Sequence, residues 1–435
     1  MRTMMMATAA ALLLALPAQA QQADLRSAIA ADYDANLEGL YLDFHRNPEL
    51  SGLEVRTAGI IAGQLRALGY EVTTGVGGTG VVAVLRNGDG PTVMLRADMD
   101  GLPIRENSGL DYASTVTQTD TDGTDKPVMH ACGHDVHVTA LIGSARQMMA
   151  RRDSWSGTLV LIAQPAEERI SGARAMIEDG LYTRFPKPDY AVAFHVQAHL
   201  PAGMVEVPLG IAYSSSDSVD ITVRGVGGHG ASPHMTVDPV LIASQIVVSL
   251  QSIRSRNISP LQGAVITVGA INGGVKHNII PDAVELQLTV RSDSIAVREQ
   301  LLDGIDRVVQ GTAEAYGVPA DLMPIVTRSP TESTPPTLND EATAIRVRDA
   351  IAGVLGADRM TAPPRTGMGA EDFAHFILPE YGVRGVYFKV GGGRPEDAAR
   401  ITPHHSPLFR IAPEESVTTG IEAIVTAATA LMPRS

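Results

Sequence analysis

Strand-length apolar runs alternate with helically spaced stretches along most of this chain, and the alternation breaks once, near the middle. Before the break, residues 81–85, 92–96, 158–163 and 190–194 read as buried strands,. Between and around them, Leu37, Leu40, Tyr41 and Phe44, then Ile60, Ile61, Leu65 and Leu68, and a later stretch over residues 136–151 carry helical spacing,. Strands interleaved with helices demand a sheet covered on both faces. Asn87-Gly88-Asp89-Gly90 predicts a hairpin joining the first two strands,. Inside the break the order is strand 218–224, helix 239–254, strands 264–270 and 283–291, helix 295–316 and strand 321–327. That is the β-α-β-β-α-β order of a split βαβ unit. Beyond Pro335-Pro336 the earlier pattern resumes. The expectation is therefore an α/β protein. A mixed-sheet domain over residues 21–214 and 328–435 has helices on both faces, and a ferredoxin-like domain over 215–327 is inserted into it.

Composition narrows the function. A chain of 435 residues has length for two or three domains and needs no staples,. With 34 basic and 48 acidic residues the net charge is −14, and no dense Lys/Arg tract interrupts it, so nucleic acid is not an expected partner,. Arg2, an apolar run over residues 7–16 and then Pro17-Ala18-Gln19-Ala20 read as a signal peptide cleaved after Ala20,. The run is too short for a bilayer, which takes about 20 residues. The expectation is export to the periplasm or outside the cell, with no stable membrane anchor. The lone Cys132 excludes an intramolecular disulfide. In an oxidising compartment it must be either buried and inert or occupied.

Two glycine-rich segments, Gly75 to Gly80 and Gly225 to Gly230, match G-x-G-x-x-G. The first is followed by strand-like sequence instead of a helix, and the second lacks an acidic residue after the next strand. Without that context both read as tight turns, not dinucleotide sites.

The polar residues that carry chemistry gather just past strand ends. Arg96-Ala-Asp98-Met-Asp100 closes one strand, Gln164-Pro-Ala-Glu167-Glu168 another and His195 a third. Ligands of open α/β sheets bind outside the carboxyl ends of strands, so these groups should converge. His130-Ala-Cys132-Gly-His134-Asp135-Val-His137 stands immediately before a helix. Thiolate, imidazole and carboxylate together suit zinc, manganese, cobalt or nickel better than calcium or magnesium. A thiol nucleophile paired with histidine is the alternative, and spacing alone does not separate the two. The doublet Glu167-Glu168 favours the metal. Two adjacent carboxylates in a crevice are tolerable when one coordinates a cation and the other carries a proton.

These motifs resemble the dinuclear-metal amidohydrolases and exopeptidases grouped with carboxypeptidase G and aminoacylase, and most of all the hippurate hydrolase and auxin amino-acid-conjugate hydrolase branch. The matching segments are RADMDGLP from Arg96, HACGHD from His130, QPAEE from Gln164, His195, GGHGASPH from Gly227, HNIIP from His277, GAEDFA from Gly369 and His405-Ser-Pro407. The resemblance implies two divalent transition-metal ions (Mn, Zn, Ni or Co) bridged by Cys132, with His134 and His195 completing one shell and Glu168 and His405 the other. His405, not its neighbour His404, occupies the family's His-Ser-Pro position. It further implies Glu167 as general base and Asp98 as a group orienting a ligand. His229 on the inserted domain would stabilise the oxyanion, from the same chain or across a homodimer formed through that domain. Asn278 and Arg291 would bind substrate, Arg291 through a free carboxylate. Glu371 and Asp372 would support the rear wall or start a helix. The implied activity is hydrolysis of N-acyl or N-aroyl amino acids, with a dipeptidase on the same centre, a non-catalytic solute-binding protein and a cysteine hydrolase as the other readings. Leu288-Thr-Val before Arg291 departs from relatives that have glycine there. Its side chains either narrow the pocket or fill the inserted domain's core.

Overall fold

The strand runs of the first half and one from the C-terminal part assemble into a single mixed sheet. A computed structural model describes residues 24–397 and 402–434; the signal-peptide expectation over residues 1–20 lies outside them. In chain order the elements that matter are α1 (Val55–Ala67), β1 (Glu71–Val76), β2 (Gly80–Asn87), β3 (Thr92–Asp98), α2 (His134–Ala150), β4 (Gly157–Gln164), β5 (Tyr190–Pro201) and β6 (Val205–Glu206). After them come β7 (Ser216–Arg224), α3 (Pro239–Ser252), β8 (Ala264–Asn272), β9 (Ala283–Ser292), α4 (Ile295–Ala315), β10 (Ile325–Thr334), α5 (Glu341–Leu355), β11 (Arg384–Gly393) and α6 (Pro413–Leu431). The seven-stranded sheet runs β1-β2-β4-β3-β5-β11-β6. Its four central strands, β4, β3, β5 and β11, are parallel. Consequently the carboxyl ends of β4, β3 and β5 open side by side.

Strand β4 shows why the sheet is covered twice. Leu159, Leu161 and Ala163 enter one core with residues of α1, α2 and α6, while Val160 and Ile162 enter another with Met94, Met176 and Phe373. Alternate side chains point to opposite faces, so an unbroken apolar run means burial on both.

The hairpin expected at Asn87–Gly90 does not form. The chain does turn there, but β4 lies between β2 and β3, antiparallel to one and parallel to the other. A turn signal reports local reversal; which edges pair was decided by the more apolar β4. The hairpin in this region joins β1 to β2, and its turn is the first glycine-rich match. Gly77 there has φ +66°, and a Cβ on it would lie 2.5 Å from the Met176 amide nitrogen.

The inserted unit has the expected β-α-β-β-α-β order, in a four-stranded antiparallel sheet β8-β9-β7-β10. Its last strand runs on to Thr334, past residue 327. Val219, Ile221 and Val223 pack with Ile242, Ile246 and Leu250 of α3 and Leu301 and Ile305 of α4, in a core separate from those of the large sheet. Leu288 and Val290 belong to this core, which explains their size without invoking a pocket.

Candidate metal centre

Helix α2 begins at the site because Gly133 precedes it in the left-handed region, at φ +87°. A Cβ there would sit 2.3 Å from Val196 Cγ1, so glycine alone fits,. That turn brings Cys132 and His134, two residues apart, into one cluster. Strand β4 delivers Glu167 and Glu168 just beyond its end, and β5 delivers His195.

Cys132 Sγ lies at the centre of two donor groups. One comprises Cys132, His134 and Glu168; the other comprises Cys132, His195 and His404, and in each the candidate ligand atoms all lie within 4.8 Å of one another. The resemblance paired His134 with His195 and Glu168 with His405, so the grouping differs. The reason is a hydrogen bond: His134 Nδ1 donates to the Asp100 carbonyl at 2.8 Å, which turns Nε2 toward Glu168 Oε1, 3.9 Å away. Those two atoms are buried and have no hydrogen-bond partner among the described residues. Their separation is one that two ligand bonds of about 2 Å can span. Buried polar atoms without partners are costly, and a cation between them removes the cost. The donor set thus fits a divalent transition metal.

The two neighbouring histidines differ in what their rings can do. His404 Nε2 accepts from the Ala198 amide at 3.2 Å, so the neutral ring carries its proton on Nδ1, 3.7 Å from Cys132 Sγ,. It is placed to donate to a thiolate. His405, at φ +61°, puts Nε2 3.4 Å from Glu168 Oε2, with its backbone amide tied to the Ala131 carbonyl. His195 donates from Nδ1 to the Val196 carbonyl at 2.6 Å, leaving Nε2 3.3 Å from the sulfur.

Carboxylates dominate the electrostatics of the cluster. Burial alone would strip the proton from His134, but Asp98, Asp100 and Glu168 outweigh it and hold its pKa at about 10. Burial, with Glu371 and Glu168 nearby, pushes Glu167 well above the usual carboxylate range. Asp98 accepts from His137 Nδ1 at 2.5 Å and from Arg96 at 2.6 Å, and its Oδ2 lies 3.6 Å from His134 Nε2. His137 Nε2 accepts from the Val196 amide, so both of its nitrogens are committed and it is no ligand. Arg96, fully buried, also bonds Glu371 at 2.6 Å and Asp372 at 3.3 Å. Glu167, Glu371 and Asp372 lie close enough together to hold an ion, but the last two are already engaged by Arg96. Glu371 also accepts from the Phe373 amide as an N-cap, so the rear-wall and helix-start roles coincide.

Not every expected residue converges. His229 and Asn278 sit on an exposed two-stranded arm, Gly228–His229 against Ile279–Ile280, and the hydrogen bonds of both stay within the inserted domain. Arg291, on β9, is half-buried, and its guanidinium has no hydrogen bond or ion pair among the described residues. Burial lowers its pKa, opposed by the Asp217 charge, yet Asp217 is bonded to Arg298 and Ser333. Sequence reasoning set His404 aside in favour of His405 and passed over His137 and the supporting roles of Glu54 and Asp100. His137 lay inside a quoted motif, but nothing local marks an acceptor that is met only across the fold.

An α/β domain whose sheet is covered on both faces, with a cysteine, histidines and paired carboxylates at its strand ends, defines a metal-dependent hydrolase. The chain belongs to Peptidase family M20/M25/M40, whose model matches residues 94–430. It is 38% identical over 369 residues to Thermostable carboxypeptidase 2 of Saccharolobus solfataricus, covering 84% of this chain and 88% of that one. It is 36% identical over 349 residues to Hippurate hydrolase of Campylobacter jejuni, covering 79% and 86%. Among solved structures, the Bacillus subtilis YXEP protein, a dinuclear metal-binding peptidase of the M20 family, superposes with TM-score 0.75 at 28% identity over 92% of this chain and 99% of that one. The protein is accordingly an M20 metal-dependent amidohydrolase or peptidase that uses divalent metal ions.

Proposed function

We propose that this enzyme hydrolyses the amide bond of N-acyl or N-aroyl amino acids. Arg291 carries the reading: a half-buried guanidinium that makes no ion pair among the described residues suits the free carboxylate of such a substrate, which it can grip bidentately,. The relative named a hippurate hydrolase supports it. The second reading, an exopeptidase on the same centre, has its support in the relative named a carboxypeptidase.

In this proposal Cys132, His134, Glu168, His195 and His405 would hold two divalent ions of the zinc, manganese, cobalt or nickel class. His404 donates to the thiolate. When bound, such ions lower the pKa of water and polarise the amide carbonyl. Glu167 takes the proton of the attacking water and returns it to the leaving amine. Asp98 fixes the His137 ring while the Asp100 carbonyl fixes that of His134, and Asn278 and His229 act on the substrate from the inserted arm. That arm reaches the site by domain closure or from a second copy, and the exposed Leu241 and Val248 on α3 support pairing through the inserted domain. The chain is exported, on the strength of residues 1–20.

Purified protein loaded with each metal in turn should cleave hippuryl-type substrates faster than unblocked dipeptides, and chelator should abolish both activities. Preference for the dipeptide would favour the exopeptidase. Glu167→Gln should lower kcat by about 10²–10⁴-fold, the ordinary share of a general base. Full turnover in that variant would remove Glu167 from the mechanism.

A further inference from the structure

The turn that presents Glu167 and Glu168 is not one its residues favour locally. Ala166 at φ +49° and Ile170 at φ +54° both occupy the left-handed region without being glycine,. Two buried carboxylates from other parts of the chain hold it there. Glu54, immediately before α1, accepts through Oε1 from the Ala166 amide at 2.9 Å and the Gly52 amide at 2.7 Å, and through Oε2 from the Thr79 hydroxyl. Asp100, just past β3, accepts through Oδ1 from the Glu167 amide at 3.2 Å. Its Oδ2 accepts from the Glu168 amide at 3.0 Å and the Ser51 hydroxyl at 2.6 Å. Three successive amides therefore donate to buried carboxyl oxygens. Consecutive N–H groups of this kind ordinarily form an anion-binding concavity, and here the protein's own side chains fill it. On the other side of the turn, the Ala166 carbonyl accepts from Ser171 and Gly172. A Cβ on Gly172 would stand 1.5 Å from the Pro165 carbonyl oxygen.

We infer that Glu54 and Asp100 are positioning residues, a two-carboxylate clamp that aims Glu167 and Glu168 at the centre. The inference rests on the reading of Glu167 as base and Glu168 as ligand. The two members differ in what an amide can replace. In Glu54→Gln the carbonyl still accepts both amides and the NH2 can donate to the Thr79 oxygen, so every partner is kept. In Asp100→Asn one former acceptor becomes an NH2 facing a backbone N–H.

Steady-state kinetics and zinc titration of the apoprotein against a chromophoric chelator test this. Asp100→Asn should lower kcat at least tenfold with KM within twofold, and weaken zinc binding at least tenfold. Glu54→Ala should lower kcat at least tenfold, and Glu54→Gln should restore it to within twofold of wild type. Wild-type behaviour of Asp100→Asn, or Glu54→Gln falling as far as Glu54→Ala, overturns the clamp. Hydrogen exchange of the wild-type apoprotein needs no variant to fold: a peptide over residues 165–171 should exchange as slowly as β4, and fast exchange is equally fatal. The zinc and exchange measurements stand even if Glu167→Gln keeps its turnover, so failure of the base and failure of the clamp are told apart.

Discussion

At Cys132, burial and the Glu168, Glu167 and Asp98 carboxylates all oppose a thiolate, so without a cation the sulfur keeps its proton,. His134 keeps one for the complementary reason, its pKa being held at about 10 by the surrounding carboxylates. A metal must displace both protons, so its affinity rises with pH. Calorimetric titration of the apoprotein with zinc should show tighter binding at pH 8 than at pH 6. Repeated in buffers of different ionisation enthalpy, it should show at least one proton released per ion bound. Binding that ignores pH would mean that Cys132 and His134 are not the ligands.

Between elements, the start of α2 is fastened to the helix Glu38–Arg46 by one imidazole. His45 donates to Asp135 at 2.7 Å and reaches Glu106 at 3.2 Å, both contacts buried. Burial by itself would lower the His45 pKa, but the bonds to Asp135 and Glu106 raise it to about 9. In the unfolded chain it returns to about 6.5. A raised folded pKa means that the contribution is present in full below pH 6.5, falls as pH climbs from there, and is gone above about 9. The melting-temperature gap between wild type and His45→Gln should therefore be widest below pH 6.5 and close by pH 9. A gap that grows with pH would show that His45 is neutral in the fold.

For the whole molecule, the inserted domain's separate core makes it a body of its own, and it leaves apolar surface uncovered. Leu241 is 53% exposed and Val248 65%, one α3 face apart from that core, and β8 is an edge strand of its sheet. Unprotected edges and apolar faces invite a second copy. Light scattering should give a dimer, and Leu241→Glu should convert it to monomer; wild-type protein that elutes as a monomer at all concentrations would end this expectation. No helix among the described residues is long and apolar enough to cross a membrane.

Periodicity made the layered sheet and the inserted β-α-β-β-α-β order legible, because apolar spacing is a local record of burial. Residue type made the chemistry legible: one thiol, paired carboxylates and histidines at strand ends already pointed to a metal. Pairing was not legible, since Asn87–Gly90 carries a turn signal whether or not β4 slips between the strands it joins. Nor was the orientation of the His404 ring, which depends on the Ala198 amide 206 positions away. The same holds for Glu54 and Asp100, which look like ordinary acidic residues until the fold lays their oxygens against three amides of a distant turn. Spacing and chemical type belong to the chain; which lone pair meets which proton is settled only when distant segments are packed together and water is excluded from between them.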